Sequence, residues 1–265
     1  MIPLDMTGKV TLITGAGGGI GSGIAHVFAQ AGAKVYAADL EGEDAQATAE
    51  QLQKEGFVVE PVELDVTRKE QIDALVERIV EKDGKIDHLI NSAGIMVSKP
   101  YMETTDDEFR KILEVNLVGV HNCCQVVLKQ MIPRREGKIV NILSASSRMG
   151  SDFFSHYASS KFGLMGLTQS IGLAVARHHI NVNGICPGVV ITRLGEKQGG
   201  SLIQQIARYS GKDEALLQEN IRKSIPLRRF QSGEDIGFTA LFLCSDLAAN
   251  ITCQAINVCG GMRMN

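Results

Sequence analysis

The feature that most constrains this chain is an eight-residue turn, Thr14-Gly15-Ala16-Gly17-Gly18-Gly19-Ile20-Gly21, set between an apolar run and an amphipathic segment. Residues 9–14 read as a buried strand, and 20–31 as a helix that Gly32 ends. Glycines let the backbone come close to a ligand. The free N–H groups and positive end of the next helix favour an anion. Strand, glycine turn and helix in that order predict a phosphate site at the head of a βα unit. The spacing is Thr-Gly-x-x-x-Gly-x-Gly; the Gly-x-Gly-x-x-Gly pattern fails because Ile20 stands at its third glycine.

The alternation continues down the chain. Strands are expected at 34–39, 58–64, 88–90, 138–143, 181–186 and near 255–258. Helices are expected at 42–55, at 69–82 behind a cap-like Thr67, as a pair within 105–131, and at 157–176. Strands apolar almost throughout, alternating with helices, predict an α/β fold. Right-handed crossovers make it a single doubly wound Rossmann-type domain over 1–265, a parallel sheet of about seven strands with helices on both faces. Residues 193–228 are polar and lack a strand, and are expected to form a helical lid over the active site.

Composition narrows the function. With 27 basic and 30 acidic residues the formal charge is −3, so nothing draws the chain to nucleic acid or to an anionic membrane. No apolar run approaches the ~20 residues of a membrane helix, and residues 1–9 do not read as a signal peptide. The six cysteines include no Cys-x-x-Cys pair, which predicts reduced, mostly buried thiols in a cytoplasmic protein and no metal site. His178-His179 reads as a solvated turn.

Asp39 closes the second strand, eighteen residues beyond Gly21. A carboxylate there accepts both hydroxyls of an adenosine ribose and repels a 2′-phosphate. Leu40 and Glu41 bring no compensating cation, so the expected cofactor is NAD rather than NADP.

Further along stand Asp65-Val66, Asn91-Ser92-Ala93-Gly94, Asn116, Ser144, the Tyr157-x-x-x-Lys161 pair thirteen residues after that serine, and Pro187-Gly188 with Thr192. With the glycine turn, these resemble the short-chain dehydrogenase/reductase family along nearly the whole chain; Ser92 replaces that family's usual second asparagine. The resemblance implies a catalytic set of Ser144, Tyr157, Lys161 and Asn116. It implies that the dinucleotide lies against Gly15, Gly19, Ile20 and Gly21, with Asp39 and Leu40 at the ribose and Asp65 and Val66 at the adenine. Asn91, Ala93, Gly94, Tyr157 and Lys161 would follow, and Pro187, Gly188, Val190 and Thr192 would hold the nicotinamide.

Four residues apart on a helix, Tyr157 and Lys161 share a face. A phenol titrates near 10; a neighbouring ammonium, helped by oxidised nicotinamide, is expected to lower it. Tyr157 then takes the alcohol proton as hydride leaves, and Ser144 donates to the substrate oxygen. As the resemblance implies, Lys161 also holds the nicotinamide ribose, while Asn116 kinks its helix and holds a water linking Lys161 to solvent. The expected partner is a small-molecule secondary alcohol or ketone, a polyol or diol. Alternatives are a hydroxysteroid dehydrogenase, a 3-oxoacyl carrier-protein reductase, or a catalytically silent NAD-binding sensor. Ile95, Met96, Met149, Phe153 and Phe154 would form an apolar wall, and Arg148, Asp152, His156 and Arg193 polar contacts; His156 reads equally well as a surface residue. The resemblance further suggests a homotetramer, or a homodimer, paired through 105–131 and 157–176.

Overall fold

The computed structural model describes residues 4–190 and 202–264. Seven strands form one sheet: β1 (Val10–Thr14), β2 (Lys34–Asp39), β3 (Val59–Glu63), β4 (His88–Asn91), β5 (Gly137–Ile142), β6 (Ile180–Pro187) and β7 (Ala255–Val258). Their order is β3-β2-β1-β4-β5-β6-β7, and every neighbouring pair is parallel. The expected seven-stranded doubly wound sheet is present.

The helices are α1 (Gly19–Gln30), α2 (Gly42–Lys54), α3 (Lys69–Asp83), α4 (Asp106–Leu113), α5 (Val120–Arg134), α6 (Ser155–Val175), α7 (Leu202–Ser210), α8 (Glu214–Ser224) and α9 (Gly233–Cys244). Successive strand residues face opposite sides of the sheet, and the core divides accordingly. Ile13 and Ile90 pack with Ile24 and Phe28 of α1, Leu52 of α2 and Ile236 of α9. Leu12 and Leu89, their neighbours in sequence, pack with Ile72 of α3, Val127 of α5 and Leu164 of α6. Both faces are covered, which is why the strands are largely apolar and why polar side chains such as His88 and Asn91 are buried with hydrogen-bond partners.

Three local expectations need correction. The helices within 105–131 are joined without a break, by a π-helical turn at Glu114–Gly119. Thr67 does not cap α3: its hydroxyl and N–H both go to Asp65 Oδ1, at 2.7 and 2.9 Å, and Arg68 is the N-cap. Helix α9 had no counterpart in the expected set. The segment read as a lid contributes α7 and α8; its residues 193–201 lie outside those described. Five of the six cysteines are buried and all six are free thiols. No helix among the described residues is long and apolar enough to cross a membrane.

Strand order reverses between β1 and β4, whose last residues, Thr14 and Asn91, lie side by side. Loops leaving these two strands diverge to opposite faces, and the crevice they leave is where open α/β sheets bind ligands.

Candidate active site

The glycine turn closes on itself and on the end of β4. Gly15 holds φ +68, and a Cβ there would lie 2.6 Å from Ala93 Cα. At Gly21 a Cβ would lie 1.9 Å from the Gly15 carbonyl oxygen, so α1 starts directly against the turn. Ser92 N–H donates to Thr14 O at 3.2 Å, and Ala93 N–H to Thr14 Oγ1 at 3.2 Å. Gly18 faces open space. The result is a tight, bare backbone cradle at the positive end of α1, suited to a pyrophosphate.

Asp39 is held at the rim. Its Oδ2 accepts the Gly17 N–H at 2.8 Å and its Oδ1 the Glu41 N–H at 3.2 Å. Those two donors orient the carboxylate while leaving lone pairs for a ligand's hydroxyls. Asp44 lies alongside, within 2.7 Å of where a Gly17 Cβ would stand; sequence reasoning did not single it out. Leu40 is exposed beside Asp39.

Some expected cofactor residues brace the crevice instead of offering it a side chain. Asn91 is buried, and its amide donates to Asn141 Oδ1 at 2.8 Å and to Cys124 Sγ at 3.3 Å. Val66 is buried against Gly119 of the π turn, and Asp65 is engaged by Thr67. Pro187 ends β6, Gly188 N–H donates to Val258 O at 3.0 Å, and Val190 bridges to Gln231. Gln231, absent from the expected set, presses its Oε1 against Gly188, where a Cβ would be 2.5 Å away. Thr192 and Arg193 lie outside the described residues.

Across the crevice Ser144, Tyr157 and Lys161 converge. Ser144 follows β5, and its Oγ accepts the Ser146 N–H at 3.0 Å, which leaves the hydroxyl proton free to donate outward. It faces the Tyr157 phenol and pulls its pKa down. Lys161 lies one helical turn after Tyr157, its Nζ 5.7 Å from the tyrosine ring centre, and donates to Ile142 O at 2.8 Å. Burial pushes the Lys161 ammonium down to about 8.

Burial also raises the Tyr157 phenol above its ordinary value, more than Ser144 lowers it. That reverses, for the protein alone, the expected acidification by the neighbouring amine. Surrounding protein draws both groups away from water, and desolvation penalises each charged form.

Asn116 is fully buried in the π turn, a geometry that interrupts the regular helical ladder. The expected kink is there. Its amide is engaged at three of its four hydrogen-bonding positions: Nδ2 donates to Ile95 O at 2.9 Å and Ser160 Oγ at 3.1 Å, and Oδ1 accepts the Ile95 N–H at 2.8 Å. The side chain clamps the loop after β4 to α6. Gly94 sits in the angle, where a Cβ would be 3.2 Å from Asn116 Oδ1 and 3.7 Å from Lys161 Nζ.

Of the expected substrate-side residues, Ile95, Met96, Phe153 and Phe154 are half-buried and Met149 is exposed. Arg148 points away along the sheet and donates to Ala255 O at 2.7 Å. His156, which read equally well as a surface residue, is completely buried. From α7, Gln205 reaches the loop after β4 and accepts the Ser98 N–H at 2.6 Å.

The chain that builds this glycine cradle, the carboxylate at its rim and the Ser-Tyr-Lys set across the crevice is similar to known proteins along nearly its whole length. The short chain dehydrogenase family model matches residues 9–201. The galactitol 2-dehydrogenase of Agrobacterium fabrum is 37% identical, over 99% of this chain and 100% of its own length. The 3-oxoacyl acyl-carrier-protein reductase of Thermotoga maritima is 35% identical, over 98% and 99%. Among solved structures, NAD+-bound xylitol dehydrogenase superposes with a TM-score of 0.90 at 29% identity, covering 97% of this chain and 99% of that one. Actinorhodin polyketide ketoreductase with NADPH gives 0.90 at 32%, covering 96% and 97%. A match to the family model over most of the chain, with full-length relatives of one architecture, places this protein in the short-chain dehydrogenase family of oxidoreductases, whose fold binds a nicotinamide dinucleotide.

Proposed function

We propose that this chain is an NAD-dependent dehydrogenase/reductase interconverting a secondary alcohol, of the polyol or diol type, and its ketone. The observation that carries the reading is the convergence of Ser144, Tyr157 and Lys161 at one wall of the dinucleotide crevice. When bound, the nicotinamide supplies the hydride acceptor or donor. Gly15, Gly19, Ile20 and Gly21 would hold its pyrophosphate, Asp39 its adenosine ribose, and Pro187, Gly188, Val190 and Thr192 its carboxamide.

Tyr157 acts as acid and base at the reacting oxygen, taking the hydroxyl proton in oxidation and returning it in reduction. Ser144, its Oγ already accepting from Ser146, donates to the same oxygen and stabilises the charge that develops there. The Lys161 ammonium, its Nζ 5.7 Å from the tyrosine ring centre, favours the phenolate form. Asn116 fixes the loop and helix that carry them. Helices α7 and α8 close the substrate side as a lid.

Asp39 favours NAD: with Asp44 beside it, the rim opposes a 2′-phosphate. Relatedness to a 3-oxoacyl carrier-protein reductase supports carrier-linked ketone reduction as a second reading. Free buried thiols suit a reducing cytoplasm. Exposed apolar residues on α6 suit a homotetramer.

The test is turnover of polyols, diols, hydroxysteroids and acyl thioesters with NAD and NADP, followed through nicotinamide absorbance. NAD-linked turnover of a polyol or diol is expected. Tyr157→Phe should then lose at least about 10³-fold in kcat while still binding dinucleotide. Turnover surviving in Tyr157→Phe, or silence across the whole panel, overturns the reading.

A further inference from the structure

His156 precedes Tyr157 on α6 and is completely buried, yet neither Nδ1 nor Nε2 has a hydrogen-bond partner. Buried polar atoms without partners are rare enough that each calls for a cause. Two more lie on abutting segments. Ser98 Oγ and Ser155 Oγ are both buried and both unpartnered. The strip holding Ser98 runs beside the strip leading into α6, with Lys99 N–H donating to Phe153 O at 2.6 Å and Tyr101 N–H to Asp152 O at 3.2 Å. An imidazole and two hydroxyls without partners thus belong to the two segments that meet where the loop after β4 runs beside the first turn of the helix that carries Tyr157.

The imidazole does not belong to the reacting set. One residue on a helix turns by about 100°, so His156 faces away from Tyr157. It shares its stripe with Ser160, one turn on, whose Oγ donates to Tyr157 O at 2.7 Å and accepts from Asn116. That stripe faces α4 and the π turn. The charged groups nearest His156 are Glu108 of α4 and Lys99 of the loop, which pair with each other at 2.9 Å. Neither occupies the ring nitrogens.

We propose that His156 is a positioning residue for Tyr157, joined to Ser98 and Ser155 through a buried water that completes their hydrogen bonds. A neutral imidazole offers one donor and one acceptor, and a hydroxyl offers both. One water, which makes about three hydrogen bonds in such sites, links the three groups. The bridge sets the first turn of α6 against the loop whose Ser98 N–H is held by Gln205 of α7. It therefore ties the Tyr157 phenol to the seating of α7 over the crevice.

The inference rests on the oxidoreductase reading for its kinetic arm only. Thermal melting, dinucleotide affinity and imidazole ¹⁵N NMR are measured on His156→Phe, His156→Gln and Ser98→Ala, and turnover on whichever alcohol the wild type oxidises. For a ring that merely fills space, any cost of the larger Phe is steric and Gln does not recover it, because there is no hydrogen bond to restore. The expected result is the opposite. His156→Phe melts lower and loses about tenfold in kcat with unchanged dinucleotide affinity, while His156→Gln, which keeps one donor and one acceptor, recovers most of both. The wild-type spectrum is expected to show a single neutral tautomer with a slowly exchanging N–H that changes in Ser98→Ala. His156→Phe as stable and as active as wild type overturns the proposal. So does a ring N–H in fast exchange and indifferent to Ser98, a measurement that stands even where the Phe variant fails to fold or no substrate is found.

Discussion

Lys161 shows at a single residue how the proposed chemistry and stability oppose each other. Its ammonium is held at about 8 by burial, against an ordinary 10.5. A group depressed in this way destabilises the fold fully below its folded value. The penalty fades as pH rises from about 8 to 10.5, where the unfolded chain also loses the proton. The depression is worth about 3 kcal/mol. Lys161→Met removes it but leaves the Ile142 carbonyl, now accepting at 2.8 Å, without its donor, at a cost of about 1–2 kcal/mol. The variant is expected to melt about 2–5 °C higher than wild type at pH 7, with the gap closing between about pH 9 and 10 and reversing above that as the wild-type penalty vanishes, while turnover falls at least about 100-fold. A melting temperature that drops at pH 7 would show that the amine is compensated inside the fold. At the other end of the crevice, Asp39→Ala should lower kcat/KM for NAD by at least about tenfold and narrow the preference over NADP, since a bidentate carboxylate contact to the ribose is lost. Steady-state kinetics with both dinucleotides decides it, and an unchanged ratio would free Asp39 of that role. These residues were legible in the sequence because fixed spacings carry them. What Asn116 bonds and where His156 points were not, since α6 is built of small and apolar residues on nearly every face and its stripes are faint.

At the scale of elements the clearest shortfall is α9. Its core, Ile-Gly-Phe-Thr-Ala-Leu-Phe-Leu-Cys, is apolar on all sides and shows no polar stripe to mark a helix. The signal that was available is the capping box: Ser232 Oγ accepts the Asp235 N–H at 3.1 Å, and Asp235 returns to the Ser232 N–H at 2.8 Å. The helix matters because it sits backbone to backbone on α1, whose first turn forms the phosphate cradle. A Cβ at Gly23 would lie 2.4 Å from the Gly233 carbonyl carbon, and one at Gly233 would lie 2.6 Å from Gly19 O. Backbone cannot swing aside as a side chain can, so Gly23→Ala must push the two helices apart. We expect a loss of about 2–4 kcal/mol in urea unfolding, together with weaker dinucleotide binding because Gly19 moves with the crossing. A variant as stable as wild type would mean the helices do not pack at this distance. The strands, in contrast, were legible almost to the residue, because a sheet covered on both faces demands short, mostly apolar runs, and polar or glycine-bearing segments separate them here.

For the whole molecule, the parallel doubly wound sheet follows from alternation, whereas its strand order, and any assembly through its surface, depend on features that alternation does not predict. On α6 the positions 162, 166, 169 and 173 fall along one line of the helix. Phe162 is 41% exposed and Leu173 75%, with Gly166 between them opening to empty space. Val118, 37% exposed on the π turn, is a further apolar residue left at the surface. Two apolar side chains flanking a glycine make a flat stripe that a second copy of the same helix can cover. In a two-fold contact each such residue is buried twice. A formal charge of only −3 offers little repulsion against association. Replacing Leu173 with Glu puts two carboxylates near the axis of such a contact, at a desolvation cost that few interfaces absorb. Light scattering behind size exclusion is expected to show the wild type as a tetramer or dimer and Leu173→Glu at half that mass or less, with far-ultraviolet dichroism and dinucleotide affinity unchanged. A wild type that runs as a monomer, or a variant whose mass does not fall, would mean that this stripe of α6 faces water in the working protein.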